Sequence, residues 1–560
     1  MRSARRAVIL PVVLMVLMLL GLLCAMFAFR VNADLCSTQA IAFRLQTRLA
    51  AEAGVERVKL LLRGEAKFDV DQWYHNPEEL HRIVVWVQEF DNTELGTNQE
   101  YDGLAMAYRF SIVADDPTDD EERIRIGITD EASKLNLNTA TERQLLVLVR
   151  AAVGEENEEI NPQDIVDAIL DWRDPDKDPR GEAGDTEGDF YRRLLQPYQV
   201  KNGPFDTVEE LLLVKGVTGQ VLYGEDFDRN GLLTPNEDDG EQTFPPDNED
   251  GILNPGLYPY LTVLSKENNV SNANRERVHL YGNADKLRAE LEIAFPDDPD
   301  VVDFVVNATR SQGKDKKGPS NPGKGGDGQE PPDGSADKPG GEIEGDELGP
   351  GGAADEENEG NEPPESGPPG GSETDDGRGT SAPMPTVASL LRDQIDGENL
   401  QRSPVTLEHL PTLLDVTTPY APDQKTIAGL ININTAPARV LRCLEGPGGE
   451  PALSPEQIEA ILEARERVPS EDKVTPAWLL IEEVLDLDTF ELIAPQITAR
   501  GQQFTIEALG YGDHIGMVTR LQVVVDALGP IVQTIYYRDL TYLGGRFPIR
   551  EEDLERIRVQ

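Results

Sequence analysis

From Ala7 to Phe29 the chain runs 23 residues without a charged side chain, with Arg2, Arg5 and Arg6 before the run and Arg30 closing it. A helix rises about 1.5 Å per residue, so this run covers about 35 Å, enough to cross a hydrocarbon core about 30 Å thick. The pattern predicts a basic leader over 1–7 and a transmembrane helix over 8–30. Arginines before the run and acidic sequence after it put the short N-terminus in the cytoplasm and the bulk of the chain outside. A cleaved secretory signal, with Val31-Asn32-Ala33 as its processing site, competes with this reading, but its apolar region is usually only about 7–15 residues long. A lipid anchor on Cys24 competes too, although Leu23 stands where a small residue is needed. Beyond Thr38 the apolar residues Ile41, Leu45, Leu49, Val55, Val58 and Leu62 recur at threes and fours between charged ones. That spacing predicts one continuous rod, apolar all round at first and then amphipathic, with its stripe lying on other structure.

What the rod carries is acidic. The chain has 103 Asp and Glu against 52 Lys and Arg, a formal net charge of -51. A phosphate backbone must be met by clustered cations, so nucleic acid is a poor partner for such a chain. Three cysteines in 560 residues make no disulfide scaffold, and Cys36 with Cys443 is the one conceivable pair once Cys24 is placed in the span.

Short β-branched or alternating runs at Arg82–Val87, Ala105–Val113 and Arg123–Ile128 read as strands, and three more close the chain at Gln503–Ala508, Met517–Asp526 and Ile531–Tyr537. Between them the pattern is helical. The expected class is α+β: a long N-terminal helix packed on an antiparallel sheet, with a large, mainly helical domain inserted into it. The stem helix and first strands then occupy 31–130, the insert 131–308 and 387–500, and the last strands 501–560. Residues 309–386 separate the two halves of the insert; about two-fifths of them are Gly or Pro and none is aromatic. Such a segment buries too little apolar surface to offset chain entropy and reads as a disordered acidic linker.

Within the insert, Asn136–Ala140 (N-L-N-T-A) is echoed by Asn432–Ala436 (N-I-N-T-A), each ahead of an apolar helical run. Thr139 and Thr435 are candidates to cap those helices. Together with Glu209–Val217 (E-E-L-L-L-V-K-G-V) the repeat is similar to helix-hairpin-helix modules, which hold DNA phosphates on hairpin amides with nearby cations. The acidic surroundings favour plain helix packing.

One constellation has chemical specificity. Asp226, Asp228, Asn230, Gly231 and Glu237 fit D-x-[DN]-x-[DN]-G-x5-E without a mismatch. In a calcium loop of this kind alternate positions turn oxygens inward, glycine allows the sharp turn, Leu232 offers its carbonyl, and the final Glu supplies two oxygens. A second acidic loop over 171–191 presents Asp174, Asp176, Asp178, Glu187 and Asp189, and an oxygen-only donor set again suits calcium rather than zinc. Asp247–Gly251 is a third candidate. Five histidines show no metal-ligand spacing, and no nucleophile elbow or phosphate loop is present, so the sequence gives no ground to expect an enzyme.

Taken together, the sequence resembles the K-type minor pseudopilins of bacterial type II secretion, the general secretion pathway protein K family. The resemblance rests on R-R-A-V-I-L-P-V-V-L-M at Arg5–Met15, K-L-N-L-N-T-A at Lys134–Ala140, the D-W-x-D-x-D loop at Asp171, Gly203–Val217, and I-N-I-N-T-A-P at Ile431–Pro437. It implies a pilin-like fold carrying a helical insert, calcium in that insert, and a place at the tip of a periplasmic pseudopilus beside other minor pseudopilins. It also implies a single-pass inner-membrane protein with its bulk in the periplasm, cut by prepilin peptidase between Ala7 and Val8, although glycine usually precedes that cut. The fifth residue after the cut, a Glu in major pilins, is Val12 here. Two other readings fit parts of the chain: a membrane-anchored calcium-binding surface module, which would normally carry a second matched loop, and a competence-type DNA receptor, which needs a basic face.

Overall fold

The computed structural model describes residues 6–87, 107–116, 124–154, 160–180, 187–312 apart from Glu241, Pro245 and Asn248, and 386–546 apart from 397–398, 421–423 and His514. Contacts divide the chain into two units, 1–313 with 385–560, and 314–384. The second unit, and with it nearly all of the expected linker, lies outside the described residues. At its start the linker reading needs correcting, because a helix over Pro299–Gln312 runs into it. Stem and insert together make up the first unit.

The rod is one helix, α1 (Arg6–Leu61), and its 56 residues cover the expected span without a break. Among the described helices it alone is long and apolar enough to cross a membrane. Its upper half differs from the expected stripe. Val55, Val58 and Leu62 are buried, but Ile41, Leu45 and Leu49 remain 67%, 56% and 46% exposed. The face that meets the sheet carries Thr47, Ala50, Ala51 and Val55 instead. Close approach is the reason. A β-carbon on Gly54 would lie 2.8 Å from the Phe110 ring, and one on Gly510 would lie 2.0 Å from the carbonyl oxygen of Thr47. Only a small-residue face fits at that separation, so the leucine stripe, which has the same period in a different phase, turns outward. Thr47 also reaches the sheet through a 2.8 Å hydroxyl contact with Thr519. Gly510→Ala is therefore expected to push α1 off the sheet and cost at least the about 1–3 kcal/mol typical of an overpacked core. Urea unfolding of the variant checks this, with Gly219→Ala, whose β-carbon would meet nothing within 4 Å and whose backbone is not in the left-handed region, as the comparison.

Among the described residues the sheet has seven strands: β1 (Ile83–Val87), β2 (Ala107–Asp115), β3 (Ile124–Ile126), β4 (Thr129–Asp130), β5 (Gln503–Gly512), β6 (Val518–Asp526) and β7 (Gln533–Asp539). Its spine runs β1-β2-β5-β6-β7, with β3 on β2 and β4 on β5, and every pair is antiparallel. The last three strands thus enter the sheet beside the first ones, as expected. In this register Gly510 pairs with Phe110 and Ala508 with both Ile112 and Leu521 on the α1 side. By the two-residue alternation of a strand, Glu507 and Arg520 belong to the opposite face.

The insert packs on that opposite face, and it is a duplication more extensive than the two short motifs show. Leu135-Asn136 pairs in parallel with Leu261-Thr262, and Ile431-Asn432 pairs in parallel with Ile497-Thr498. Asn136 and Asn432 each accept the amide two residues on through their side chains, while their carbonyls take the next two amides, at Thr139 and Ala140 and at Thr435 and Ala436. Each copy then has a proline-started helix, Pro162–Arg173 or Pro455–Arg467. An arginine near its end reaches back to the turn: Arg173 donates to Leu137 and Ala140, Arg465 to Ile433 and Ala436. This corrects the capping expectation. Thr141, not Thr139, caps the first helix, in a capping box with Gln144; the helix over 438–441 starts at Pro437 with no side-chain cap. The turn consumes the threonine positions before the helix begins, and Thr435 donates to Asp130 instead.

Asp130 and Glu131 tie the copies to the stem. Buried Asp130 accepts from Ala132 N, from Asn432 Nδ2 at 2.6 Å and from Thr435 Oγ1 at 3.0 Å. Glu131 accepts from Thr505 Oγ1 of β5 at 2.6 Å and from Thr262 Oγ1 of the first copy. All three cysteines are free, Cys36 exposed and Cys443 buried, so the one conceivable disulfide does not form.

Candidate metal centre

A single-turn helix, Gly219–Tyr223, leads into the acidic loop, and Gly224 ends it at φ 62°. Asp226, Asp228 and Glu237 then converge, with one carboxylate oxygen of each lying within 4.8 Å of the others. The loop's own amides shape it. Asp226 accepts from Asn230 N at 2.8 Å and Gly231 N at 3.0 Å, Asp228 accepts from Asn230 N at 3.0 Å, and Asn230 Oδ1 accepts from Leu232 N at 2.6 Å. Glu237 closes it by accepting from Thr234 N and Oγ1 at 3.0 and 2.8 Å. Gly231 has φ 73°, and a β-carbon there would lie 2.9 Å from Arg546 Nη2, so conformation and room both require glycine.

Three carboxylates this close repel one another, and burial removes the water that would screen them. Asp226 and Glu237 are 7% and 5% exposed. Burial pushes the Asp226 carboxyl up to about 7, against the pull of Arg546, and burial raises Glu237 as well. A hard divalent cation relieves that strain, and an all-oxygen donor set of carboxylates plus the Asn230 amide fits calcium.

The second loop is arranged differently. Arg180 lies 3.8 Å from Asp171 and 3.6 Å from Asp174, and Asp189 pairs with Arg192 at 3.2 Å. Asp176 accepts from the amide of Asp178 at 2.9 Å. Among the described residues these carboxylates do not converge as the first three do; the side chain of Glu187 lies outside them. One oxygen of Asp174 is nonetheless buried without a partner. Asp247 spends its carboxylate on the amides of Asp239, Gly240 and Glu249.

The back of the loop docks on the sheet through residues that sequence reading missed. Arg520 of β6 donates to the carbonyls of Asp228 (3.1 Å) and Arg229, and Arg546 donates to Asn230 O at 2.9 Å. Both arginines also hold buried Glu507 of β5, at 3.2 and 2.9 Å, and Arg546 pairs with Asp115 of β2. Burial would raise Glu507, but Arg520 and Arg546 hold it below the usual carboxylate range. Strand alternation assigns Glu507 and Arg520 to an outer face, and nothing in a single sequence shows that another domain covers it.

The titrations give a signed expectation. Without metal, the folded state binds protons at Asp226 (about 7) and at buried Asp130 (about 6) where unfolded Asp, at 3.8, does not. Stability should rise as pH falls through these values, saturate near the unfolded value and be lost again as pH climbs through about 7. Glu507 acts oppositely, losing its contribution only below its unfolded 4.5. Melts in chelator between about pH 5 and 8 check this; a profile that is flat or rises with pH over that window would contradict it.

Stem helix, antiparallel sheet and inserted helical module make this a pilin-like subunit with a helix long and apolar enough to cross a membrane. Two family models agree on which. Type II secretion system (T2SS), protein K, matches at residues 129–223 with its first-domain model and at 431–500 with a second, and these fall on the two copies of the duplicated module, the first ending ahead of its returning strand. The chain belongs to that protein K family and is a minor pseudopilin of type II secretion. No curated protein matches it. Among solved structures, a chain of the GspK-GspI-GspJ complex from enterotoxigenic Escherichia coli matches at 9% identity and a TM-score of 0.34, covering 91% of this chain and 99% of that one.

Proposed function

We propose that this minor pseudopilin caps the tip of a periplasmic pseudopilus, anchored by α1 in the inner membrane, and so helps export folded proteins. The observation that carries the reading is the outward turn of Ile41, Leu45 and Leu49, which continues the exposed apolar surface of the lower helix past the length a membrane can cover. Such a stripe suits the stem helices of other minor pseudopilins packed beside it. The insert gives the subunit its one-sidedness, since it thickens the end of the rod remote from the span. Val12, where major pilins carry a Glu, suits a subunit with none above it. Prepilin peptidase would cut between Ala7 and Val8, both within the first turn of α1.

Calcium would be held by Asp226, Asp228, Asn230, Glu237 and the Leu232 carbonyl. The ion supplies positive charge to buried carboxylates and fixes the loop whose carbonyls Arg520 and Arg546 grip. The second loop, through Asp174, Asp176, Asp178, Glu187 and Asp189, is a further candidate for calcium.

Immunogold labelling of pseudopili assembled in secreting cells tests the placement. Label at one filament end is expected, and Ile41→Lys with Leu45→Lys should remove it and stop secretion. Label distributed along the filament would overturn the capping role.

A further inference from the structure

The acidic loop region has an outer side that neither the ion nor the joint uses. In the second copy of the module the helix Leu487–Ile493 reaches its returning strand through residues 494–496 alone. In the first copy residues 224–260 stand in that place, between Tyr223 and Leu261. The second copy thus closes without a counterpart of this stretch. Its inner carbonyls are taken by Arg520 and Arg546, as described above. Outward it carries three of the more exposed large apolar side chains of the insert: Phe227 at 55%, Phe244 at 70% and Ile252 at 63%. Phe227 and Phe244 meet edge to face, with ring centroids 5.4 Å apart and planes at 82°. Phe244 is held in place, because its neighbour Thr243 donates through Oγ1 to Asp239 at 2.9 Å and to Asn236 O at 3.1 Å. An aromatic pair fixed in water marks a contact surface more often than a lone exposed residue does.

We propose that this face docks a protein partner presenting an apolar side chain flanked by lysines or arginines. Charge selects that occupant. Asp238, Glu249 and Asp250 of the same stretch are exposed, and Asp239, which anchors Thr243 beside Phe244, is half-buried. The region's Arg229 points inward instead, 5.4 and 5.3 Å above the rings of Tyr223 and Tyr258. A cation from the partner would meet carboxylates at the rim and ring faces at the centre, where cation–π attraction adds to apolar burial. A second copy of this chain, formally at -51, is repelled, and so is an anionic lipid surface.

The test uses the full chain in zwitterionic nanodiscs, with empty nanodiscs as blank, and a fluorescent helical peptide of leucine and lysine as probe. Its counterpart with glutamate for lysine is the control. Saturable binding of the lysine peptide is expected, at least about tenfold weaker for Phe227→Ala/Phe244→Ala, with the glutamate peptide silent. Phe244→Ala alone lies outside the carboxylate loop and should show much of the loss with an unchanged melting temperature. Equal binding to wild type and double variant would mean charge alone is read; equal binding of the glutamate peptide would mean apolar contact alone. Either result overturns the proposal, as does no binding by the lysine peptide, or self-association of the chain that the double variant abolishes.

Discussion

Removing calcium should lower the melting temperature of the full chain by several degrees and open the stretch 224–256 to protease. An ion that binds only the folded loop adds RT ln(1 + [L]/Kd), about 2.7 kcal/mol at a hundredfold excess over Kd. At about 2–4 °C per kcal/mol for domains of moderate size, that is roughly 5–10 °C. The gain is concentrated in Asp226 and Glu237, whose burial makes their metal-free charge costly. Asp226→Ala should therefore melt near the chelated wild type and lose its response to calcium. Should the variant keep a reduced response, the loop over 171–191 binds an ion of its own. Identical melting curves and identical proteolysis with and without chelator would remove calcium from the account altogether.

How far the sequence could be read depended on how local each signal was. The unbroken α1 was legible, because an uncharged run and a helical period need no knowledge of neighbours. The convergence of the acidic loop was legible for the same reason: Asp226 to Glu237 is a self-contained turn whose three converging carboxylates lie within twelve positions. The seat of the rod was not. Ile41-Leu45-Leu49 recurs at fours and Thr47-Ala51-Gly54 at four and three, both helical spacings, and only the position of Phe110 and Gly510 decides which face touches the sheet. The module duplication was visible as two five-residue motifs and no more. Its other shared parts, Arg173 with Arg465 and Thr262 with Thr498, sit at unequal distances along the chain, and the acidic stretch of the first copy lengthens the route to Thr262. Glu507, Arg520 and Arg546 were illegible for a different reason: the loop carbonyls that the two arginines grip, Asp228 to Asn230, lie 291 to 316 residues away.

Those three residues make Arg520 the position where a single substitution should do the greatest damage. Its side chain is 1% exposed and binds Glu507, Asp228 O and Arg229 O at once. Arg520→Ala leaves Glu507 buried with Arg546 as its remaining partner and strips two carbonyls of the metal loop of their donor. Breaking a buried pair by removing one member costs about 3–5 kcal/mol, most of it from the charge left behind. Glu507→Gln together with Arg520→Met removes both charges while keeping bulk, so it should recover much of that loss, which separates a stranded charge from lost packing. Chemical unfolding of the two variants measures the difference. Calcium titration of the same proteins should show weaker binding in both, because neither retains a donor for Asp228 and Arg229. If Arg520→Ala costs under about 0.5 kcal/mol, the value of a surface pair, the sheet does not grip the loop through Arg520 and the insert is held to the stem by its other contacts, those of Asp130, Glu131 and Arg546 among them.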